Sequence, residues 1–255
     1  MHYVRVLADG AARWGVVRGD AIALLDGNPI TTGARETGHA VPLVGAALLA
    51  PAEPTKIIGI GSNYRAHAKE MGKPVPEEPL LFMKPPSALL PPGGAIVRPS
   101  GYERVDFEGE LCVVIGRRAH RVDEAHALEH VFGYTIANDV SVRDLQKKDV
   151  QFTRAKGFDT FCPLGPAVAT GLEPQALRIR TTLNGVVRQD STTEDMVFSV
   201  ARLVAFISRV MTLEPGDLIS TGTPPGVANL TPGDVVEIDI EGIGALQNRV
   251  VADTP

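Results

Sequence analysis

Apolar positions in this chain recur mostly with a period of two, the spacing of half-buried strands. Residues 3–7, 14–18 and 21–25 alternate in this way, and Gly10, Gly19 and Asp26-Gly27 punctuate them. They predict a small β-rich unit over residues 1–51. Ala50-Pro51-Ala52-Glu53-Pro54 reads as a linker, and a larger unit follows over residues 55–255. Within it, residues 56–60, 80–84, 107–115 and 131–138 predict strands. Residues 181–188 predict a hairpin, because Asn184-Gly185 favours a type I′ turn. Pro215-Gly216-Asp217 and Pro232-Gly233-Asp234 are turns feeding apolar runs, and residues 235–240 and 244–251 close the chain as a second hairpin.

Helical spacing is rare. It is clearest over 195–211, with acids at its start. Residues 123–130 and 143–148 are short helical candidates, and 62–72 suits one short helix capped by Ser62 or Asn63. Residues 154–166 fit neither period and read as an ordered loop. Strands dominate without alternating regularly with long helices. The expected class is therefore α+β, mostly β, rather than a doubly wound sheet.

Composition narrows the functions. With 255 residues the chain can bury a sizeable core. A formal charge of −5 and 5% aromatic residues argue against nucleic-acid binding. No apolar run reaches the length of a membrane helix, about 18 residues. The N-terminus shows no basic leader before an apolar stretch, so a cytoplasmic protein is expected. Cys112 and Cys162 lie far apart without a Cys-x-x-Cys pattern and predict reduced, buried thiols.

The candidate chemistry begins at Asp106-Phe107-Glu108-Gly109-Glu110. Glu108 and Glu110 enter an apolar strand two positions apart, so they share a face at roughly 6–7 Å. Asp139 stands where another apolar strand ends. A solvated acidic face is the ordinary reading of such a pair. Three carboxylates without neighbouring His or Cys otherwise suit a hard cation: Mg²⁺ or Mn²⁺, with Ca²⁺ also compatible. His67 and Glu70 are neighbours on one helical face; an exposed polar pair is the ordinary reading, and the same pairing would fix an imidazole tautomer for general-base work. Gly59, Gly61, Gly72 and Pro74 around that helix suit a mobile lid. Lys156, within the expected loop, is ordinarily read as a solvated charge; beside a divalent cation it would stabilise an enolate or oxyanion. The Gly59-Ile60-Gly61 segment is not a dinucleotide fingerprint, because Tyr64 takes the third glycine position.

From about Lys56 to Val251 these segments, in order, resemble the fumarylacetoacetate hydrolase family in its short acylpyruvase-like branch. They are Gly-Ser-Asn-Tyr-x-x-His-x-x-Glu, Asp-x-Glu-x-Glu-Leu, Asn-Asp-x-Ser-x-Arg-Asp-x-Gln, Lys-Gly-Phe-Asp-Thr-Phe-Cys-Pro-x-Gly-Pro and Thr-Gly-Thr-Pro-x-Gly. The resemblance implies a mixed β-sheet roll for the larger unit and a homodimer. It implies Glu108, Glu110 and Asp139 as metal ligands, and His67 with Glu70 as a water-activating dyad. Lys156 would face the substrate, and Arg143, Gln146 and Thr223 would line its site. The larger eukaryotic fumarylacetoacetases carry a substrate-binding Tyr between the positions matching Gln146 and Lys156. Residues 147–155 here contain none, which argues against a long β-diketo substrate. The activity implied is hydrolysis of a C–C bond in an acylpyruvate, a small 2-oxo acid. Isomerisation of a 2-hydroxyhepta-2,4-diene-1,7-dioate, or tautomerisation or decarboxylation of oxaloacetate, would use the same site. A non-catalytic, metal-stabilised β protein is the alternative from another class.

Overall fold

The computed structural model describes residues 1–253. Nineteen strands follow in chain order. They are β1 (His2–Ala8), β2 (Ala11–Arg18), β3 (Ala21–Leu25), β4 (Glu36–Pro42), β5 (Leu48–Leu49), β6 (Ile57–Gly61), β7 (Leu80–Lys84), β8 (Leu89–Leu90), β9 (Ala95–Arg98), β10 (Val105–Asp106), β11 (Gly109–Ile115), β12 (Val131–Asn138), β13 (Ser141–Val142), β14 (Cys162–Ala169), β15 (Arg178–Leu183), β16 (Val186–Thr192), β17 (Leu218–Ser220), β18 (Val235–Ile240) and β19 (Gly244–Ala252). Four α-helices interrupt them: α1 (Arg65–Glu70), α2 (Arg143–Lys148), α3 (Thr153–Lys156) and α4 (Val200–Val210). None is long and apolar enough to cross a membrane.

The main sheet runs β4-β3-β2-β1-β14-β12-β11-β17-β6-β7, and β16-β15-β18-β19-β9 forms a second sheet. Most pairings are antiparallel. The β6–β17, β8–β14 and β9–β19 pairs are parallel, so both sheets are mixed. β1 pairs with β14, which joins the first strands to the main sheet. The centre of that sheet is buried on both faces. Along β11, Leu111, Val113 and Ile115 face the core shared with the second sheet and α4. Cys112 and Val114 face a separate cluster with Trp14, Ile57 and Leu218. Glu110 continues the parity of Cys112 and Val114. The acids thus extend an apolar face of the sheet into a polar end.

Three sequence expectations need correction. The 154–166 segment is not one loop. Residues 153–156 form a helical turn, and Cys162 begins β14 despite Pro163 and Pro166. The β12–β14 ladder shifts register between Tyr134 and Ile136. Pro166 sits in that irregular stretch, where its missing N–H costs no ladder bond. Second, neither Ser62 nor Asn63 caps α1. The helix begins after Tyr64 with no side-chain cap. Asn63 instead donates to Thr221 O at 2.7 Å and accepts from Phe198 N at 2.8 Å, tying the base of the lid to the sheet. Third, the helix expected over 195–211 starts at Val200, where the Ser199 hydroxyl accepts from Arg202 N. Residues 193–195 form a separate 3₁₀ turn, because Val197 N and Phe198 N are drawn to Asn63.

Candidate active site

The ends of β11, β12 and β17 bring Glu108, Glu110 and Asp139 together. One carboxylate oxygen from each lies within 4.8 Å of the others, and all three residues are buried. Backbone bonds set this spacing: Asp139 N donates to Glu108 O at 2.9 Å, and Glu108 N donates to the Asn138 side chain at 3.0 Å.

Buried carboxylates need partners, and these have unequal shares. Glu108 accepts from Arg143 Nη2 at 2.6 Å and from Lys156 Nζ at 2.8 Å. Burial alone would raise its carboxyl, but Lys156, Arg143 and His67 outweigh that and hold it well below the usual range. Asp139 accepts from Lys84 Nζ at 2.6 Å and Lys156 Nζ at 2.5 Å. Among the described residues Glu110 has no ammonium or guanidinium partner within ion-pair distance. It accepts from the Ser220 hydroxyl at 2.5 Å and from Gly222 N at 2.9 Å. Burial, then Asp139 and Glu108, push it up to about 8. Such a site is short of positive charge at Glu110, and its donors are all oxygen. That donor set fits Mg²⁺ or Mn²⁺.

Arg143 is held on three sides. Its Nε donates to Asp106 at 2.8 Å, its Nη1 to Gln146 Oε1 at 2.8 Å and its Nη2 to Glu108. Gln146 Oε1 is thereby used, and its amide N–H groups are left for a ligand. Thr223 lines the cleft, but its hydroxyl already donates to Gly109 O and accepts from Gln189 Nε2. A single lone pair is what remains for a substrate.

Helix α1 lies over this end of the sheet. His67 is buried, with Nδ1 2.9 Å from Glu70 Oε2 and Nε2 4.0 Å from Glu108 Oε1. The Glu70 contact assigns the ring proton to Nδ1 and leaves the Nε2 lone pair facing the acids. Glu70 also accepts from Gly226 N at 3.0 Å, which fastens the helix to the turn after β17. The resulting cleft is bounded on its apolar side by Met71, Leu80, Phe82 and Phe152.

All nine residues singled out in the sequence therefore meet at one place. Four others near it carry no role assigned from the sequence. Asp106 was visible in the Asp-x-Glu-x-Glu pattern and Ser220 in the hydroxyl-rich turn. Lys84 ends an apolar strand and Lys73 follows the lid helix, and neither position carries a pattern of its own.

Comparison with known proteins agrees with this geometry. Residues 56–251 match the family described as "Fumarylacetoacetate (FAA) hydrolase C-terminal". Residues 1–51 match "Rv2993c-like, N-terminal". An uncharacterized protein of Archaeoglobus fulgidus is 52% identical over 214 residues, 84% of this chain and 86% of its own. The oxaloacetate tautomerase YisK of Bacillus subtilis is 43% identical over 215 residues, 78% of this chain and 70% of its own. A crystal structure titled 2-hydroxyhepta-2,4-diene-1,7-dioate isomerase, from Mycobacterium marinum, superposes with a TM-score of 0.93 at 41% identity over 100% of both chains.

Proposed function

We infer that this chain, which belongs to the fumarylacetoacetate hydrolase family, is a divalent-metal-dependent enzyme that moves a proton at the carbon beside the carbonyl of a 2-oxo acid, as a tautomerase or isomerase does. The observation that carries this reading is a tautomer-fixed imidazole whose free nitrogen sits 4.0 Å from the acidic triad. Glu108, Glu110 and Asp139 would hold Mg²⁺ or Mn²⁺, which when bound polarises the substrate carbonyl as a Lewis acid. His67 Nε2 takes the proton from the adjacent carbon as the C–H electron pair becomes the enolate double bond. The imidazolium then delivers it to the enolate oxygen, giving the enol, or to a remote carbon of a conjugated enolate, giving the isomer; ketonisation is the reverse of the first path. Glu70 keeps the ring oriented and stabilises the imidazolium while the proton is on it. The Lys156 ammonium, buried and bonded to two of the acids, supplies positive charge where the enolate oxygen develops. Gln146 N–H groups orient the substrate's carboxylate. Relatives named oxaloacetate tautomerase and heptadienedioate isomerase support proton transfer.

Hydrolysis of an acylpyruvate is the second reading, because the His67–Glu70 pair would serve a water molecule equally well. The test is a comparison of ketonisation of enol-oxaloacetate with cleavage of acetylpyruvate, each with Mg²⁺, Mn²⁺ or EDTA. Fast metal-dependent ketonisation with slow cleavage is expected. Fast cleavage with ketonisation at the spontaneous rate would replace the isomerase reading with the hydrolase one.

A further inference from the structure

Three cationic side chains line the cleft: Arg143, Lys156 and Lys73. The first two are committed. Arg143 holds Asp106 and Glu108, and Lys156 holds Glu108 and Asp139. Lys73 forms no ion pair and no side-chain hydrogen bond among the described residues. Its Nζ lies 5.4 Å from the centre of the Phe152 ring. Phe152 meets Phe82 edge-on at 5.8 Å, and Lys156 Nζ stands 4.8 Å from the centre of Phe82. One wall of the cleft thus runs ammonium, ring, ring, ammonium, with Met71 and Leu80 adding apolar surface. The Lys156 end belongs to the acidic triad. The Lys73 end has no carboxylate in contact among the described residues, and Glu108 reaches it only through its field.

We propose that Lys73 is the counter-ion for a second carboxylate at the far end of the substrate, so that the site prefers 2-oxo dicarboxylic acids to 2-oxo monocarboxylic acids. This rests on the reading of the site as one for 2-oxo acids. A short carbon chain against Phe82 and Phe152 would connect the two charged ends. Lys73 is exposed overall, but desolvation at the cleft mouth, then Arg143 and Lys156, lower the pKa of its ammonium against a smaller opposing pull from Glu108, a cost that an arriving carboxylate offsets. The lysine is also placed to move with the base. Its N–H donates to Ala68 O at 2.9 Å, so it is bound to the last turn of the helix that carries His67. Docking of that helix would bring the base and the counter-ion to the substrate together.

The test uses Mg²⁺-loaded wild type, Lys73→Met and Lys73→Arg, with thermal melts to confirm folding. Calorimetry gives the Kd for matched pairs that differ only in the terminal carboxylate: oxaloacetate with 2-oxobutyrate, 2-oxoglutarate with 2-oxopentanoate, and 2-oxoadipate with 2-oxohexanoate. Wild type should favour the dicarboxylate in at least one pair by roughly twofold to fivefold, the scale of a partly exposed ion pair. Lys73→Met should bring that ratio close to one, and Lys73→Arg should keep most of it. Equal binding within every pair, or a ratio unchanged in Lys73→Met, overturns the assignment of Lys73 alone. Failure of wild type to bind any of the six acids overturns the 2-oxo acid reading, and the role of Lys73 with it.

Discussion

Replacing Glu110 by Gln should separate the cost of the acidic cluster from its use. Gln keeps the shape and an oxygen that can accept from Ser220 and Gly222 N, but it carries no charge. In the metal-free protein the Glu110 carboxyl is raised from 4.5 to about 8 by burial, Asp139 and Glu108. A folded-state pKa raised above the unfolded value means that stability is fully present below the unfolded pKa and is lost as pH rises through the folded one. Metal-free wild type should therefore weaken between about pH 4.5 and 8, and the Gln variant should be spared this share of the loss. The difference at neutral pH is on the order of 3 kcal/mol in favour of the variant. With metal the order reverses. An ion at a hundred times its Kd adds about 2.7 kcal/mol to wild type, or roughly 5–10 °C in Tm for a chain of this size. Glu110→Gln should lose most of that gain. Thermal melts of both proteins from pH 5 to 8.5, in EDTA and in Mn²⁺, measure the two effects. A variant less stable than wild type in EDTA at every pH, or one with an undiminished Mn²⁺ shift, would refute the reasoning.

Further predictions follow from the ion pairs and from the family. Lys156→Met should slow turnover by roughly 10²–10³, the scale of a lost charge-stabilising donor. It should also tighten Mn²⁺ binding, because Glu108 and Asp139 lose a competing ammonium; weaker Mn²⁺ binding by calorimetry would contradict this. Asp106→Ala leaves the Arg143 guanidinium without one of its buried carboxylates and should cost about 3–5 kcal/mol in denaturant unfolding. A loss below about 1 kcal/mol would mean that Arg143 finds other partners. By resemblance to its family the chain should be a homodimer, and a 27.1 kDa species in sedimentation at micromolar concentration would refute that.

The sequence makes some parts of this molecule far more legible than others. β3, β7, β12 and β18 begin and end where turn residues and apolar runs predict; β18 alternates cleanly, whereas β7 and β12 are short apolar runs without alternation. β14 follows no such signal, because its prolines and Gly165 contradict strand propensity, and only pairing with β12 and β1 makes a strand of it. The caps failed for a related reason. Asn63 has the right chemistry for a helix start, but it bonds to Thr221 and Phe198, more than a hundred residues away in the chain. At the site, the acids were legible because carboxylates in an apolar strand break the local rule. Lys84 and Lys73 were not, because a lysine at the end of a strand or after a helix breaks none. Their importance comes from what tertiary structure sets opposite them: Asp139 for Lys84 and an aromatic wall for Lys73.

The central claim is that His67 moves a proton at the carbon beside a 2-oxo group. It is tested most directly by following solvent deuterium into that carbon of oxaloacetate by NMR, in Mn²⁺ or Mg²⁺, for wild type and His67→Ala. Wild type should exchange rapidly and stereospecifically. The variant should be slower by roughly 10²–10⁴, the scale of a lost general base. Exchange in His67→Ala at the wild-type rate, or no enzyme-dependent exchange in wild type at all, would contradict the claim.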